Sequence, residues 1–312
     1  MKIAVITMSN EILAVKIDRE LRDLTKVEHR SIVVPQYIYD NLKHPLRPYQ
    51  EDAIRHFIYT QRSDAADIAY HHLLFHMATG AGKTLVMAAC ILYLYQEHGY
   101  QNFMFFVNSE AIIKKTYDNL TNSASPKYLF RKEGVEINGE RITIEAVERF
   151  PVHPSPNTIY MKLTSIQKLH MDLNEPKENG VTFESLQDNK MVLLADEAHH
   201  INVETKTKAK KLTKAEKKRK NWERTVNQLL KLHQSNRLLG FTATINLHDD
   251  PLFDKYHNKI VYQYDLKQFM GEGYSKNVVL LRTNEEDEMK MLHSVLLNQY
   301  KKYVAADHGI SL

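Results

Sequence analysis

The stretch Met77-Ala-Thr-Gly-Ala-Gly-Lys-Thr84, directly after the apolar run Leu73-Leu74-Phe75, restricts the fold of this chain more than any other. An apolar run that ends in a glycine-rich loop and reopens into a long apolar segment reads as strand, loop and helix, with the loop at the strand's C-terminal end. Glycines at 80 and 82 let the backbone close on phosphate oxygens. Lys83 brings a point charge for β and γ phosphates, and the Thr84 hydroxyl can ligate Mg2+ at the helix N-terminus. Thr79 and Ala81 complete the loop. A Gly-Lys-Ser/Thr triplet arises by chance about once in 2000 positions, or in roughly one chain in seven of this length. Met77 also stands where the strict pattern has glycine, so the loop needs support from elsewhere.

Support comes from Met191-Val192-Leu193-Leu194-Ala195, a short, fully apolar run that ends in Asp196-Glu197-Ala198-His199-His200. Such a run reads as a buried parallel strand that delivers acids at its C-terminal edge. An Asp-Glu pair after a strand is by itself usually a solvated turn. Paired with a phosphate loop, the two acids divide labour: Asp196 holds Mg2+, and Glu197 orients and deprotonates the water that attacks the γ-phosphate.

The order of further motifs resembles the first motor domain of a superfamily 2 helicase or translocase. Leu46-Arg47-Pro48-Tyr49-Gln50 resembles the adenine-recognition segment of that superfamily, with Gln50 pairing to the N6 and N7 edge and Arg47 or Tyr49 flanking the ring. Phe105-Phe106-Val107-Asn108-Ser109 and Leu163-Thr164-Ser165-Ile166-Gln167 resemble its strand-contacting motifs, so Ser109, Thr164 and Gln167 are expected on a nucleic-acid backbone. Gly240-Phe241-Thr242-Ala243-Thr244 resembles the segment that couples hydrolysis to domain movement, with the Thr242 and Thr244 hydroxyls expected near Asp196. The doubled histidine, the lysine-rich stretch after it, the Trp222 helix and Tyr264-Asp265-Leu266 resemble the restriction (Res) subunit of type III restriction enzymes.

The resemblance implies a RecA-like P-loop fold, ATP and Mg2+ as cofactors, duplex DNA as track, a modification or specificity subunit as partner, and a second RecA-like domain in cis or trans. Superfamily 2 motors take a transition-state arginine from a Gln-x-x-Gly-Arg-x-x-Arg type motif, which this sequence lacks, so slow turnover by the chain alone and a longer parent protein are expected. Two other readings stay open. One is a nucleotide-binding interaction module without motor activity, and the other is an RNA-directed helicase domain.

Alternating elements frame these motifs. Strands are expected at Leu73–Met77, Phe103–Val107, Thr158–Leu163, Met191–Ala195 and Arg237–Phe241, with helices at Lys83–Glu97 and Trp222–Leu232, giving an α/β fold with a mostly parallel sheet flanked by helices. Residues 1–44 read as an extension with a strand near Ser31–Val34. Residues 45–275 read as the ATP-binding domain, and 276–312 as a linker or the start of a second domain, with a strand at Asn277–Leu281 and a helix at Glu285–Tyr303.

Charge and cysteine content narrow the class. Lys206 to Lys220 holds eight lysines and one arginine against the single acid Glu216, whereas the whole chain has 42 Lys plus Arg against 38 Asp plus Glu. Attraction for a polyanion is therefore local, and this block reads equally as a phosphate-neutralising segment or a solvated insertion. The single cysteine, Cys90, permits no internal disulfide, and no apolar run reaches membrane-spanning length, so a soluble cytoplasmic enzyme is expected. His199 and His200 lack a nearby cysteine and a third ligand for zinc. Glu288-Met289-Lys290 has a nuclease-like spacing but no preceding Pro-Asp pair.

Overall fold

The computed structural model describes residues 11–27, 32–62, 71–107, 109–175, 181–198, 214–275 and 284–310. Three helices, α1 (Leu13–Val27), α2 (Gln36–Asn41) and α3 (Pro48–Gln61), precede β1 (His72–Met77). Helix α4 (Lys83–His98) leads to β2 (Asn102–Val107), and α5 (Glu110–Leu120) to the hairpin β3 (Val135–Ile137) and β4 (Glu140–Ala146). Then follow β5 (Thr158–Ser165), α6 (Ile166–Asn174), α7 (Phe183–Gln187), β6 (Met191–Asp196), α8 (Lys214–Leu232) and β7 (Arg237–Thr242). The described chain closes with α9 (Asp250–Tyr256), β8 (Ile260–Tyr264), α10 (Leu266–Gly271) and α11 (Asp287–Asp307).

Eight strands form one sheet in the order β3-β4-β5-β2-β6-β7-β1-β8, with every pairing parallel except β3 with β4. All five expected strands are present. The structure adds the β3–β4 hairpin and the edge strand β8. Ile32–Val34 is irregular rather than strand. Asn108, His199, His200, residues 206–213 and the segment Asn277–Leu281 lie outside the described residues, while the end of the lysine block opens α8.

Burial follows from the strand sequences. β2 reads Asn-Phe-Met-Phe-Phe-Val and is buried at every position, as a central parallel strand covered on both faces must be. Along β1, odd positions face α3 and α4: Phe75 packs beside Phe57 and stacks on its register partner Phe241 with ring centroids 4.6 Å apart. Even positions face α8, where Leu74 shares a core with Leu193, Leu238, Val226 and Leu229. Truncating one such fully buried phenylalanine costs about 3–5 kcal/mol. Helix α4 is apolar almost all round, so it is buried and closed by Gly99 in the left-handed region at φ 64°.

The chain divides into two compact units, residues 1–269 and 270–312. Helix α1 belongs to the first, pinned by His56, whose ring nitrogens meet the Val261 carbonyl at 2.9 Å and the Asp18 carboxylate at 3.0 Å. The second contains α11. Among the described residues no helix is long and apolar enough to cross a membrane.

Candidate nucleotide-binding site

Parallel strands bring their C-terminal ends to one edge of the sheet, and the loop after β1, the Asp196-Glu197 turn after β6 and the Thr242–Thr244 turn after β7 lie there. The loop after β1 is built as its glycines demand: Gly80 and Gly82 have φ of 84° and 78°. A side chain at position 82 would fall on the Gln50 amide. The loop closes on itself through Ala81 N–H, which donates to the Ala78 carbonyl at 3.1 Å. Ala81 therefore shapes the cradle and does not offer its amide to an anion. Lys83 and Thr84 head α4, where no preceding turn can accept their amides, so those N–H groups are the ones in a position to meet an anion. Thr79 and Gly80 are exposed at the rim.

The Lys83 ammonium lies 3.4 Å from the Met77 and Ala78 carbonyls. Burial pushes it below its ordinary pKa, and the charges of Glu197 and Asp196 act against that shift. Asp196 ends β6. Burial pushes its carboxyl up, the Glu197 backbone N–H at 3.0 Å pulls it down, the Glu197 charge raises it again and Lys83 lowers it. Glu197 adopts φ of 50°, a left-handed conformation that side chains rarely take and that costs of order 1–3 kcal/mol. The turn thus holds two acids and one ammonium together at a partly desolvated strand end. Asp196, Glu197 and Thr84 offer oxygen donors only, the chemistry a hard divalent cation requires.

Gln50 sits beneath the loop, 4% exposed. Its Oε1 accepts the Arg47 N–H at 2.9 Å and its Nε2 donates to the Ala81 carbonyl at 2.9 Å. Tyr49 is equally buried and stacks on Tyr264 at 4.3 Å with Phe269 edge-on at 6.0 Å, whereas Arg47 is exposed. The Tyr49 ring is committed to the core, and of the two expected flanking residues Arg47 is the exposed one. Tyr264 was singled out in the sequence only as part of a family-like string, and Phe269 escaped the sequence reading, as did the reciprocal cap that sets Phe269: Gln268 N–H donates to Asp265 Oδ1 at 2.8 Å, and Asp265 N–H to Gln268 Oε1 at 2.9 Å. The spacing Asp265-x-x-Gln268 was the available signal.

The nucleic-acid candidates separate. Ser109 is exposed at the start of α5 and Gln167 is half-buried in the first turn of α6. Thr164 is 4% exposed with its hydroxyl 3.4 Å from the Ser165 carbonyl, so from here it does not reach a nucleic-acid backbone. Ser165 is the cap of α6, accepting the Lys168 N–H at 3.1 Å. Thr242 is buried and its hydroxyl donates to the Thr244 carbonyl at 3.1 Å, while Thr244 N–H returns to the same hydroxyl at 3.2 Å. These bonds close a turn beside the Asp196 strand, the region in which these hydroxyls had been expected.

Known proteins match this chain over most of its length. The family described as "Type III restriction enzyme, res subunit" matches residues 43–247. The probable type III restriction-modification enzyme HindVIP Res subunit of Haemophilus influenzae is 38% identical over 299 residues, covering 89% of this chain and 57% of that protein. The chain therefore spans little more than half the length of that relative. Among solved structures, the Sulfolobus solfataricus SWI2/SNF2 ATPase core in complex with dsDNA aligns over 70% of this chain and 36% of its own, at 14% identity and a TM-score of 0.40. The UvsW helicase from bacteriophage T4 aligns over 82% and 70%, at 13% identity and a TM-score of 0.38. The phosphate loop, the Asp196-Glu197 turn and the Thr242–Thr244 turn all fall inside residues 43–247, and the chain belongs to the type III restriction enzyme Res subunit family.

Proposed function

We propose that this chain binds ATP with Mg2+ and serves as the ATP-hydrolysing motor module of a DNA-dependent translocase that works with a modification subunit in the cytoplasm. The observation that carries the reading is one ammonium, Lys83, electrostatically tied to two carboxylates, Asp196 and Glu197, beside a glycine loop that opens into α4. In this reading the Lys83 side chain leaves the Met77 and Ala78 carbonyls for the β and γ phosphates, and the amides of Lys83 and Thr84 donate to phosphate oxygens. Thr84 and Asp196 hold the magnesium ion, which when bound supplies charge neutralisation on the phosphates. Glu197 accepts the proton of the attacking water.

Base recognition follows from the lock on Gln50. Its amide cannot flip without losing both the Arg47 N–H and the Ala81 carbonyl. One Oε1 lone pair and one Nε2 hydrogen remain, and they match the N6 donor and N7 acceptor of adenine. Guanine would set its O6 acceptor against Oε1. Arg47 lies over the ring face, and Ser109 and Gln167 contact the DNA backbone.

Titration of the purified chain with a fluorescent ATP in Mg2+, followed by hydrolysis assays with and without duplex DNA or RNA, tests the reading. ATP preferred over GTP and turnover raised by duplex DNA are expected. Equal affinity for the two bases would overturn the Gln50 assignment, and failure to bind either would overturn the nucleotide site. Stimulation by RNA alone would move the chain to RNA-directed motors.

A further inference from the structure

The N-terminal edge of the sheet, away from the phosphate loop, carries two cations that the nucleotide site does not use. Arg237 opens β7, and Lys190 stands directly before β6. The fully buried Asn236 makes them neighbours by tying the two strands together. Its Oδ1 accepts the Met191 N–H at 2.9 Å, and its Nδ2 donates to the Leu229 carbonyl at 2.9 Å. From Arg237 to the far end of β7 at Thr242 the strand rises about 17 Å, so this edge is remote from the Asp196-Glu197 turn.

Neither cation has an acid. Among the described residues no carboxylate pairs with Lys190 or Arg237. Glu97, at the end of α4, accepts instead from the Tyr37 hydroxyl at 3.0 Å. Lys190 donates to the His98 carbonyl and lies over the Tyr100 ring, 4.2 Å from its centroid. Burial and then the Arg237 charge press this ammonium below its ordinary pKa. The Arg237 guanidinium is half-buried, and its Nε is closed off from solvent with no hydrogen-bond partner. A desolvated, stranded N–H on a group with no counter-charge is a cost that native structures ordinarily avoid.

The one partner Arg237 does have is claimed twice. His71 Nδ1 lies 2.9 Å from Arg237 Nη1 and 3.1 Å from the Asn236 carbonyl. A guanidinium only donates and a carbonyl only accepts, so Nδ1 cannot satisfy both: protonated it faces a donor, and bare it faces an acceptor. The conflict disappears when Arg237 turns to another acceptor. Nδ1–H then donates to the Asn236 carbonyl, and Nε leaves its closed position along with the rest of the guanidinium.

Two unmatched positive charges, a stranded Nε–H and an arginine whose present partner cannot keep it call for an oxyanion. The planar arginine fork spans two oxygens, and the lysine ammonium meets a third. A lone carboxylate would leave one cation unmatched, whereas a phosphate dianion balances both. We propose that Arg237 and Lys190 form an anion site for a phosphate dianion on the sheet edge opposite the nucleotide site, with Arg237 exchanging His71 for the anion. This site is independent of the nucleotide reading.

Calorimetric titration of the full chain with inorganic phosphate at mildly alkaline pH and fixed ionic strength tests it, with Lys83→Ala separating this site from any phosphate held by the loop after β1. Saturable binding that survives Lys83→Ala is expected, with a dissociation constant on the order of 1 mM or below. Arg237→Gln and Lys190→Gln, each introduced beside Lys83→Ala, should weaken it by about tenfold or more, the loss of a charge-assisted contact. His71→Phe in the same background removes the competing acceptor and should leave affinity equal or higher. Acetate in place of phosphate should bind about tenfold more weakly or not at all. Two cation variants are used so that one that fails to fold does not decide the matter, and melting temperatures identify which are folded. Binding that vanishes in Lys83→Ala, or that persists unchanged in a folded Arg237→Gln or Lys190→Gln variant, overturns the site. Weaker binding in folded His71→Phe overturns the exchange of partners, and equal affinity for acetate overturns the dianion. Each of these outcomes leaves the nucleotide site standing.

Discussion

In the proposed function Lys83 and Glu197 divide binding from chemistry, and their substitutions should separate the two. Lys83→Ala removes a charge-assisted contact to phosphate and is expected to weaken ATP by on the order of 10- to 100-fold, read by titration. Glu197→Gln keeps side-chain shape and the strained backbone while deleting the base, so binding should hold and residual turnover should fall by roughly 100-fold or more. Gly82→Ala tests the cradle: a Cβ at φ 78° is strained and displaces the Gln50 amide, so both ATP affinity and the preference for ATP over GTP should drop. Lys83, Asp196 and Glu197 were legible in the sequence because loop and acid pair are contiguous strings with fixed local geometry. The burial of Tyr49 was not, because stacking on Tyr264 joins residues more than 200 positions apart in the chain.

Helix α10 shows how a short element can set a site formed elsewhere. Its reciprocal cap between Asp265 and Gln268 orients Phe269, whose ring edge would lie 3.8 Å from a side-chain carbon placed on Gly80. Asp265→Ala should therefore cost about 1 kcal/mol in urea unfolding, the typical loss of a helix cap. It should also weaken ATP more than Ser165→Ala, which removes the cap of α6 on the opposite side of the sheet. Equal ATP affinity in the two variants would show that α10 does not support the loop. Strands β1, β2, β5, β6 and β7 were readable as apolar runs bounded by polar turns. Strand β8 and the β3–β4 hairpin were not: Ile260–Tyr264 is short and mixed, and the outer strand β4 is largely solvated, so neither leaves an apolar run long enough to stand out.

For the whole molecule, acid sensitivity should come from histidines held neutral by the fold. Burial, with the charges of Lys259 and Lys255 adding to it, pushes His72 down to about 3, and burial lowers His76 and His98 as well. A base whose folded pKa is depressed contributes stability that is complete above its unfolded value, near 6.5, and lost as pH falls toward the folded value. His72 alone should account for about 2 kcal/mol lost between pH 7 and pH 5. Urea midpoints for wild type and His72→Gln measure this directly, and the variant should show a visibly flatter dependence over that window. The sequence by itself determined the strand-loop-helix units and the chemistry each carries, because a phosphate loop and an acid pair are local patterns of glycine, charge and apolar run. Only the tertiary structure decided which of those residues meet: it set β1 beside β7 and β8, buried Tyr49 and Thr164, locked Gln50 to Ala81 and put His76 in register with Thr242. Those contacts depend on strand order and register, which come from how the whole sheet packs and are written in no single segment.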